Sequence, residues 1–154
     1  MKVYNIQRKT AEDYDRWIDP EENCWITIQE PGTKHITNWS LSECPTLELS
    51  FFDLVKPMQG FELGEYFYPP SEEDARKTVE FLLENKGKNV IVNCKAGISR
   101  SGAIAQFCVD YLGYEWDAES EKRAVPNKLL YDLMAKCYGK PKKVKIIDKR
   151  RNHE

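Results

Sequence analysis

Histidine is almost missing from this chain. Among 154 residues only His35 and His153 occur, too few for a histidine-rich metal centre. The five cysteines, Cys24, Cys44, Cys94, Cys108 and Cys137, are odd in number, and no two stand at a Cys-x-x-Cys spacing. That pattern excludes a disulfide scaffold and a cysteine-based zinc finger. No apolar run approaches the ~20 residues that a membrane helix needs. The opening MKVYNIQRKT lacks the apolar stretch of a signal peptide. An excess of one charge is absent too: the formal net charge is −2, so the molecule as a whole is not a polyanion binder and no stable nucleic-acid partner is expected. These absences together predict a soluble, cytoplasmic protein of a reducing compartment.

What is present is one domain's worth of ordinary globular sequence, with 41% hydrophobic residues. Charge divides the chain in two. Residues 140–154 carry seven Lys/Arg against Asp148 and Glu154, a net +5, which leaves −7 on residues 1–139. The expectation is a folded body over 1–139 and a basic C-terminal tail over 140–154. The tail has the charge to meet an acidic partner or an anionic surface. Its plainer reading is a solvated terminus.

Strand and helix signals alternate along the body. Val3–Ile6 reads as a strand, followed by a helix opening at Thr10 with Asp13 as a capping acid. Cys24–Ile28 is a β-rich run closed by Pro31-Gly32, and Thr46–Phe52 reads as another strand. The stretch from Lys56 to Pro70, rich in Gly, Pro and aromatics, reads as a loop. Ser71-Glu72-Glu73-Asp74 is a capping box that opens a helix with Ala75, Val79, Leu82 and Leu83 on its apolar face. Asn85-Lys86-Gly87 stops that helix, and Asn89–Asn93 is a short buried-type strand. A helix over Ile104–Leu112 ends at Gly113. Pro126-Asn127 begins the last helix, which groups Leu129, Leu130, Leu133, Met134 and Cys137. The pattern predicts an α/β fold with a mainly parallel central sheet flanked by helices.

The chemistry concentrates in Val90–Gly102, VIVNCKAGISRSG: a strand, Cys94, five residues, Arg100-Ser101, then a helix. A helix N-terminus offers unpaired N–H groups and a positive dipole end to a phosphate dianion. A tight loop turns successive amides inward as an anion nest, and Gly97 lets it curve without a Cβ clash. The phosphate-binding set is therefore Lys95, Ala96, Gly97, Ile98, Ser99 and Arg100. Arg100 adds a planar fork for two phosphate oxygens, which Lys cannot copy. Cys94 sits at the base of the same positive field, which favours the thiolate and makes it a nucleophile aimed at phosphorus.

Cys94-Lys-Ala-Gly-Ile-Ser-Arg100-Ser101 resembles the active-site loop of cysteine-dependent protein tyrosine phosphatases, and most closely their compact dual-specificity branch, with its small bacterial and phage members. The similarity reaches over roughly residues 3–139, through SEEDARKTVEFLLENKGKNVIVNC, CWITIQEPG and PNKLLYDLM. It implies a phosphate monoester hydrolase that forms a cysteinyl-phosphate on Cys94, held by Arg100, with Ser101 hydrogen-bonding the sulfur and an aspartate serving first as acid and then as base. It implies no metal and no cofactor, and a phosphorylated protein or peptide as substrate. Asp53, at the carboxyl end of the Thr46–Phe52 strand, is the expected acid; Glu62 and Glu65 are its substitutes. Asp110 lies too far along the following helix and reads as surface or structural.

One departure stands beside the nucleophile. The family usually has His before it; this chain has Asn93, which can hydrogen-bond but not carry a proton. The expectation is a thiol that ionises less readily than in an Asn93→His variant, read from iodoacetamide reaction against pH. Lys95 adds one positive charge suited to highly anionic substrates such as inositol phosphates. The loop Phe61–Tyr68 reads either as a wall for an aryl ring or as a cover over the core. Cys108 and Cys137 read as core. Rival readings are a phosphoinositide, nucleotide or RNA 5′-phosphatase, a weakly catalytic phospho-ligand-binding module, and a rhodanese-like sulfurtransferase.

Overall fold

A computed structural model describes residues 1–13, 17–32, 43–56, 58–59 and 66–139. Five strands form the central sheet: β1 (Lys2–Gln7), β2 (Asn23–Gln29), β3 (Thr46–Ser50), β6 (Asn89–Cys94) and β7 (Glu115–Trp116). Their spatial order is β3-β2-β6-β1-β7, and every pair is parallel. A two-stranded antiparallel ribbon, β4 (Met58–Gln59) and β5 (Tyr66–Phe67), stands apart from it. The helices are α1 (Arg8–Asp13), α2 (Glu72–Glu84), α3 (Arg100–Leu112), α4 (Ala118–Arg123) and α5 (Lys128–Tyr138).

β6 occupies the middle, and its VIV core is fully buried on both faces, as a central parallel strand must be. Alternate residues feed two cores. Val90, Val92 and Cys94 face the larger one with Ala75, Val79 and Leu82 of α2, Ala103, Ile104 and Phe107 of α3, and Leu130 and Met134 of α5. Ile91 faces the smaller one with Ile6, Ala11, Trp25 and Cys44. The register pairs Gln7 with Cys94 and Thr27 with Asn93. The carboxyl ends of β1, β2 and β6 therefore meet along one edge, where ligands bind in parallel sheets.

The capping box forms as expected: Ser71 Oγ accepts from the Asp74 amide at 3.1 Å, and Asp74 accepts from the Ser71 amide at 2.8 Å. Several local expectations shift. The first helix begins at Arg8, directly off β1, rather than at Thr10, because the chain turns without an intervening cap residue. β3 stops at Ser50; Phe52 instead donates its amide to Tyr68 O at 3.1 Å. The stretch read as one loop holds the β4–β5 ribbon, while residues 57 and 60–65, with Glu62, Glu65 and Phe61, lie outside the described residues. Leu83 is 40% exposed and Thr78 takes its place in the core, since position 83 sits about 80° round the axis from Ala75. On α5 the buried face is Leu130, Tyr131, Met134 and Ala135, so Cys137 is exposed rather than core. Tyr131 claims that face through its hydroxyl, which donates to the buried Asp110 at 2.6 Å; burial, then Asp110 itself, push the phenol's pKa upward. Cys108 is buried as expected. The short β7 and α4 carry too little periodicity to be read from sequence. The basic tail, residues 140–154, lies outside the described residues.

Candidate active site

The loop 95–99 joins the central strand β6 to α3, so Cys94 ends the strand and Arg100 opens the helix. Gly97 is the pivot. Its φ is +66°, and a Cβ there would stand 2.5 Å from Gln7 N and from Ile6 C, so only glycine lets the loop lie on the end of β1. Body donors hold the loop's carbonyls: Arg8 N on Lys95 O at 3.3 Å, Val125 N on Ile98 O at 3.0 Å and Asn127 N on Ser99 O at 2.9 Å. Among the described residues none supplies an acceptor to the amides of residues 95–99. Ser99 stands at the N-cap of α3 without capping it. The arrangement is a ring of carbonyls engaged outward and amides left for an anion.

Cys94 is 2% exposed, at the floor of this loop. Its Sγ lies 3.1 Å from Ser101 Oγ. The Ser101 hydroxyl in turn donates to Asn5 Oδ1 across from β1. Arg100 is 5% exposed and held from outside the loop: Nη1 donates to Phe51 O at 3.0 Å, and Nη2 lies 3.9 Å from Glu30 Oε1. Among the described residues its Nε–H has no partner. A guanidinium anchored on one edge and unsatisfied on the other is preset for a planar oxyanion.

Asp53 reaches the loop, as its place after β3 suggested. Its Oδ1 accepts from Ser99 Oγ at 2.8 Å and from Asn127 Nδ2 at 2.9 Å. The residue is otherwise exposed, so its carboxylate meets solvent beside the loop mouth. Asn127 does two jobs, since its Oδ1 also caps α5 by accepting from Leu130 N at 2.9 Å.

The structure thus brings together Cys94, Lys95, Ala96, Gly97, Ile98, Ser99, Arg100, Ser101 and Asp53. Lys95 is exposed at the loop's start. Asn93 is fully buried, and neither its Nδ2 nor its Oδ1 finds a partner among the described residues. Sequence reasoning missed Asn5, Glu30, the Phe51 carbonyl and the tethering role of Asn127. Only Asn5 left a visible signal, a polar residue inside an otherwise strand-like KVYNIQ.

Among the other buried cysteines, burial pushes the Cys24 thiol up to about 12 and raises those of Cys44 and Cys108. Among the described residues no His, Cys, Asp or Glu side chains gather as a metal site, and no helix is long and apolar enough to cross a membrane.

No protein-family model and no curated protein sequence matches the chain. Solved structures do. PTPMT1 superimposes with a TM-score of 0.53 at 18% identity, over 89% of this chain and 92% of that one. PTPMT1 in complex with PI(5)P matches with a TM-score of 0.52 at 16% identity over the same shares. The five-stranded parallel sheet, its flanking helices and these neighbours together show that the chain has the compact fold of cysteine-dependent tyrosine phosphatases.

Proposed function

We propose that the protein is a phosphate monoester hydrolase that works through a cysteinyl-phosphate on Cys94, with phosphorylated proteins or peptides as substrates and phosphotyrosine foremost. One observation carries the reading. The nucleophile, an arginine with a free Nε–H, open loop amides and a tethered aspartate converge on one loop at the carboxyl edge of the sheet.

In the first step Cys94 Sγ attacks phosphorus, and the S–P bond forms as the P–O bond to the leaving group breaks. Arg100 and the amides of 95–99 hold the three equatorial oxygens as charge redistributes. Asp53, in its acid form, gives its proton to the departing oxygen. In the second step water attacks phosphorus, Asp53 takes the water proton, and the S–P bond breaks with its electron pair returning to sulfur. Ser101 Oγ, 3.1 Å from that sulfur, can donate to it once its proton turns away from Asn5 Oδ1. Phosphate leaves, and the protein is unchanged.

A second reading has its own support. Lys95 is exposed at the loop's first position, and the similarly folded PTPMT1 has been crystallised with PI(5)P. A phosphoinositide substrate would use that charge, although one lysine is a modest specificity device.

The test is hydrolysis of an aryl phosphate in EDTA by wild type, Cys94→Ser and Asp53→Ala, followed by a panel of phosphopeptides and phosphoinositides. The account expects activity without metal, abolished by Cys94→Ser and strongly reduced by Asp53→Ala. Loss with Cys94→Ser alone moves the acid to Glu62 or Glu65. An inactive wild type that binds vanadate tightly makes the protein a phospho-ligand-binding module. Preference for phosphoinositides in the panel selects the second reading.

A further inference from the structure

Ser101 has one hydroxyl proton and two neighbours that want it. Cys94 Sγ is 3.1 Å away, and Asn5 Oδ1 receives the proton in the structure. Asn5 is fully buried in β1, opposite Val92 of β6, and its backbone N–H is tied to Ser120 Oγ at 2.8 Å. Its side chain makes no other hydrogen bond among the described residues, since Nδ2 is buried without a partner. Among the described residues the amide is thus held against Ser101 alone. With the proton on the Asn5 side, the serine oxygen can accept from a thiol S–H but cannot donate to a thiolate.

We infer that Asn5 is a positioning residue that competes with Cys94 for the Ser101 hydroxyl proton and so holds the nucleophile toward its thiol form. The inference deepens the proposed function and rests on Cys94 being its nucleophile. Its reach is through Ser101 only; Asn5 touches neither sulfur nor phosphate. Other charges bear on the same sulfur's surroundings: Arg100 from α3, Lys95 from the loop, Glu30 beside Arg100, Asp53 through Ser99, and the Arg8 guanidinium, which donates to Gln29 Oε1. Among the described residues none of them hydrogen-bonds to the Asn5 side chain. An Asn5 substitution therefore leaves those charges in place.

The sign separates this role from a structural one. Replacing Asn5 by the near-isosteric, apolar Leu removes the competing acceptor and hands the Ser101 proton to sulfur, which favours thiolate. Mere damage to the loop would do the reverse, because a loosened cradle of amides and Arg100 stabilises thiolate less.

The experiment follows alkylation of Cys94 by iodoacetamide against pH, with the modified peptide identified by mass spectrometry. It needs no phosphatase activity, so a failed substrate assay and a failed prediction here remain distinguishable. In Asn5→Leu the midpoint is expected to move to lower pH by roughly 0.4 to 1 unit, the equivalent of one ordinary hydrogen bond. Asn5→Ala should move it the same way. In a Ser101→Ala background the shift should vanish, since the two residues act as one pair. An unchanged or raised midpoint in the single variants overturns the inference, as does a shift that survives Ser101→Ala. Should neither variant fold, the Asn5 side-chain amide resonances of the unmodified protein decide. They should move as Cys94 ionises and stay fixed in Cys94→Ser; resonances that ignore Cys94 overturn the inference equally.

Discussion

The middle of the sheet and its carboxyl edge are built to opposite rules. In the middle, Val90, Ile91, Val92 and Ile26 are buried among apolar neighbours and leave no polar side-chain group unmet. Toward the edge stand Gln29, Asn93 and Arg100, with Asn5 level with Val92 and reaching Ser101 below the loop, and every buried side-chain nitrogen or oxygen without a partner among the described residues belongs to one of these four. Folded proteins rarely tolerate such groups, because each costs the desolvation of a donor or acceptor. Their concentration around one cysteine teaches that this edge is shaped for something other than stability. The two kinds of cysteine say the same: Cys24 and Cys108 sit in the apolar interior with thiols raised by burial, whereas Cys94 has a hydroxyl beside it and open amides above it.

The comparison can be broken at the edge with large effects on catalysis and small ones on folding. Asp53→Asn keeps the two hydrogen bonds to Ser99 and Asn127 within reach while removing the transferable proton. It should lower kcat by roughly 10²–10⁴, with the deficit largest for aryl phosphates whose leaving groups most need protonation. Equal loss across leaving groups would remove Asp53 from the acid role. Gly97→Ala tests whether the loop's curvature is required. A left-handed φ and a Cβ at 2.5 Å from the backbone of β1 should cost about 1–3 kcal/mol in urea unfolding and weaken vanadate binding with it. A variant as stable as wild type would show that the loop is free to relax.

Asn127→Ala joins the two regions, since it uncaps α5 and removes one of the two hydrogen bonds that hold Asp53, leaving that from Ser99. The expected result is about 1 kcal/mol of lost stability and a decline in kcat of up to about tenfold, the scale of one hydrogen bond. A stability loss with unaltered kcat would reduce Asn127 to a cap. The gentlest test changes no residue. At about pH 8 iodoacetamide should label the exposed Cys137 while the buried Cys24 and Cys108 stay protected. Raising the pH toward the Cys24 value of about 12 exposes that thiolate only as the fold itself comes under strain, so labelling of Cys24 near neutrality would contradict its buried placement.

Much of this was readable in the chain because it is local. The Cys94–Ser101 run lies between a buried apolar strand and a helix, and its spacing alone places nucleophile, amides and arginine on one turn. The Ser71–Asp74 box and the glycine after α3 are local in the same sense, and both appear where expected. What escaped depends on distant partners. Asn5 meets Ser101 across 96 positions, and Asp53 meets Asn127 across 74. Glu30 follows a strand end that reads as a simple Pro-Gly turn. Cys137 was placed on the wrong side of α5 because leucine spacing is satisfied by two neighbouring faces, and Tyr131's bond to Asp110 decides between them. A two-residue strand such as β7 exists through its pairing with Lys2 and Val3, which no periodicity reports.

The most direct test of the central claim is to catch the covalent intermediate. The protein is mixed with an aryl phosphate, quenched in acid within the first turnovers, digested and examined by mass spectrometry. The account predicts a phosphoryl group on the peptide that contains Cys94, absent from Cys94→Ser. Turnover without any such adduct, or with the phosphoryl group on another residue, would contradict it.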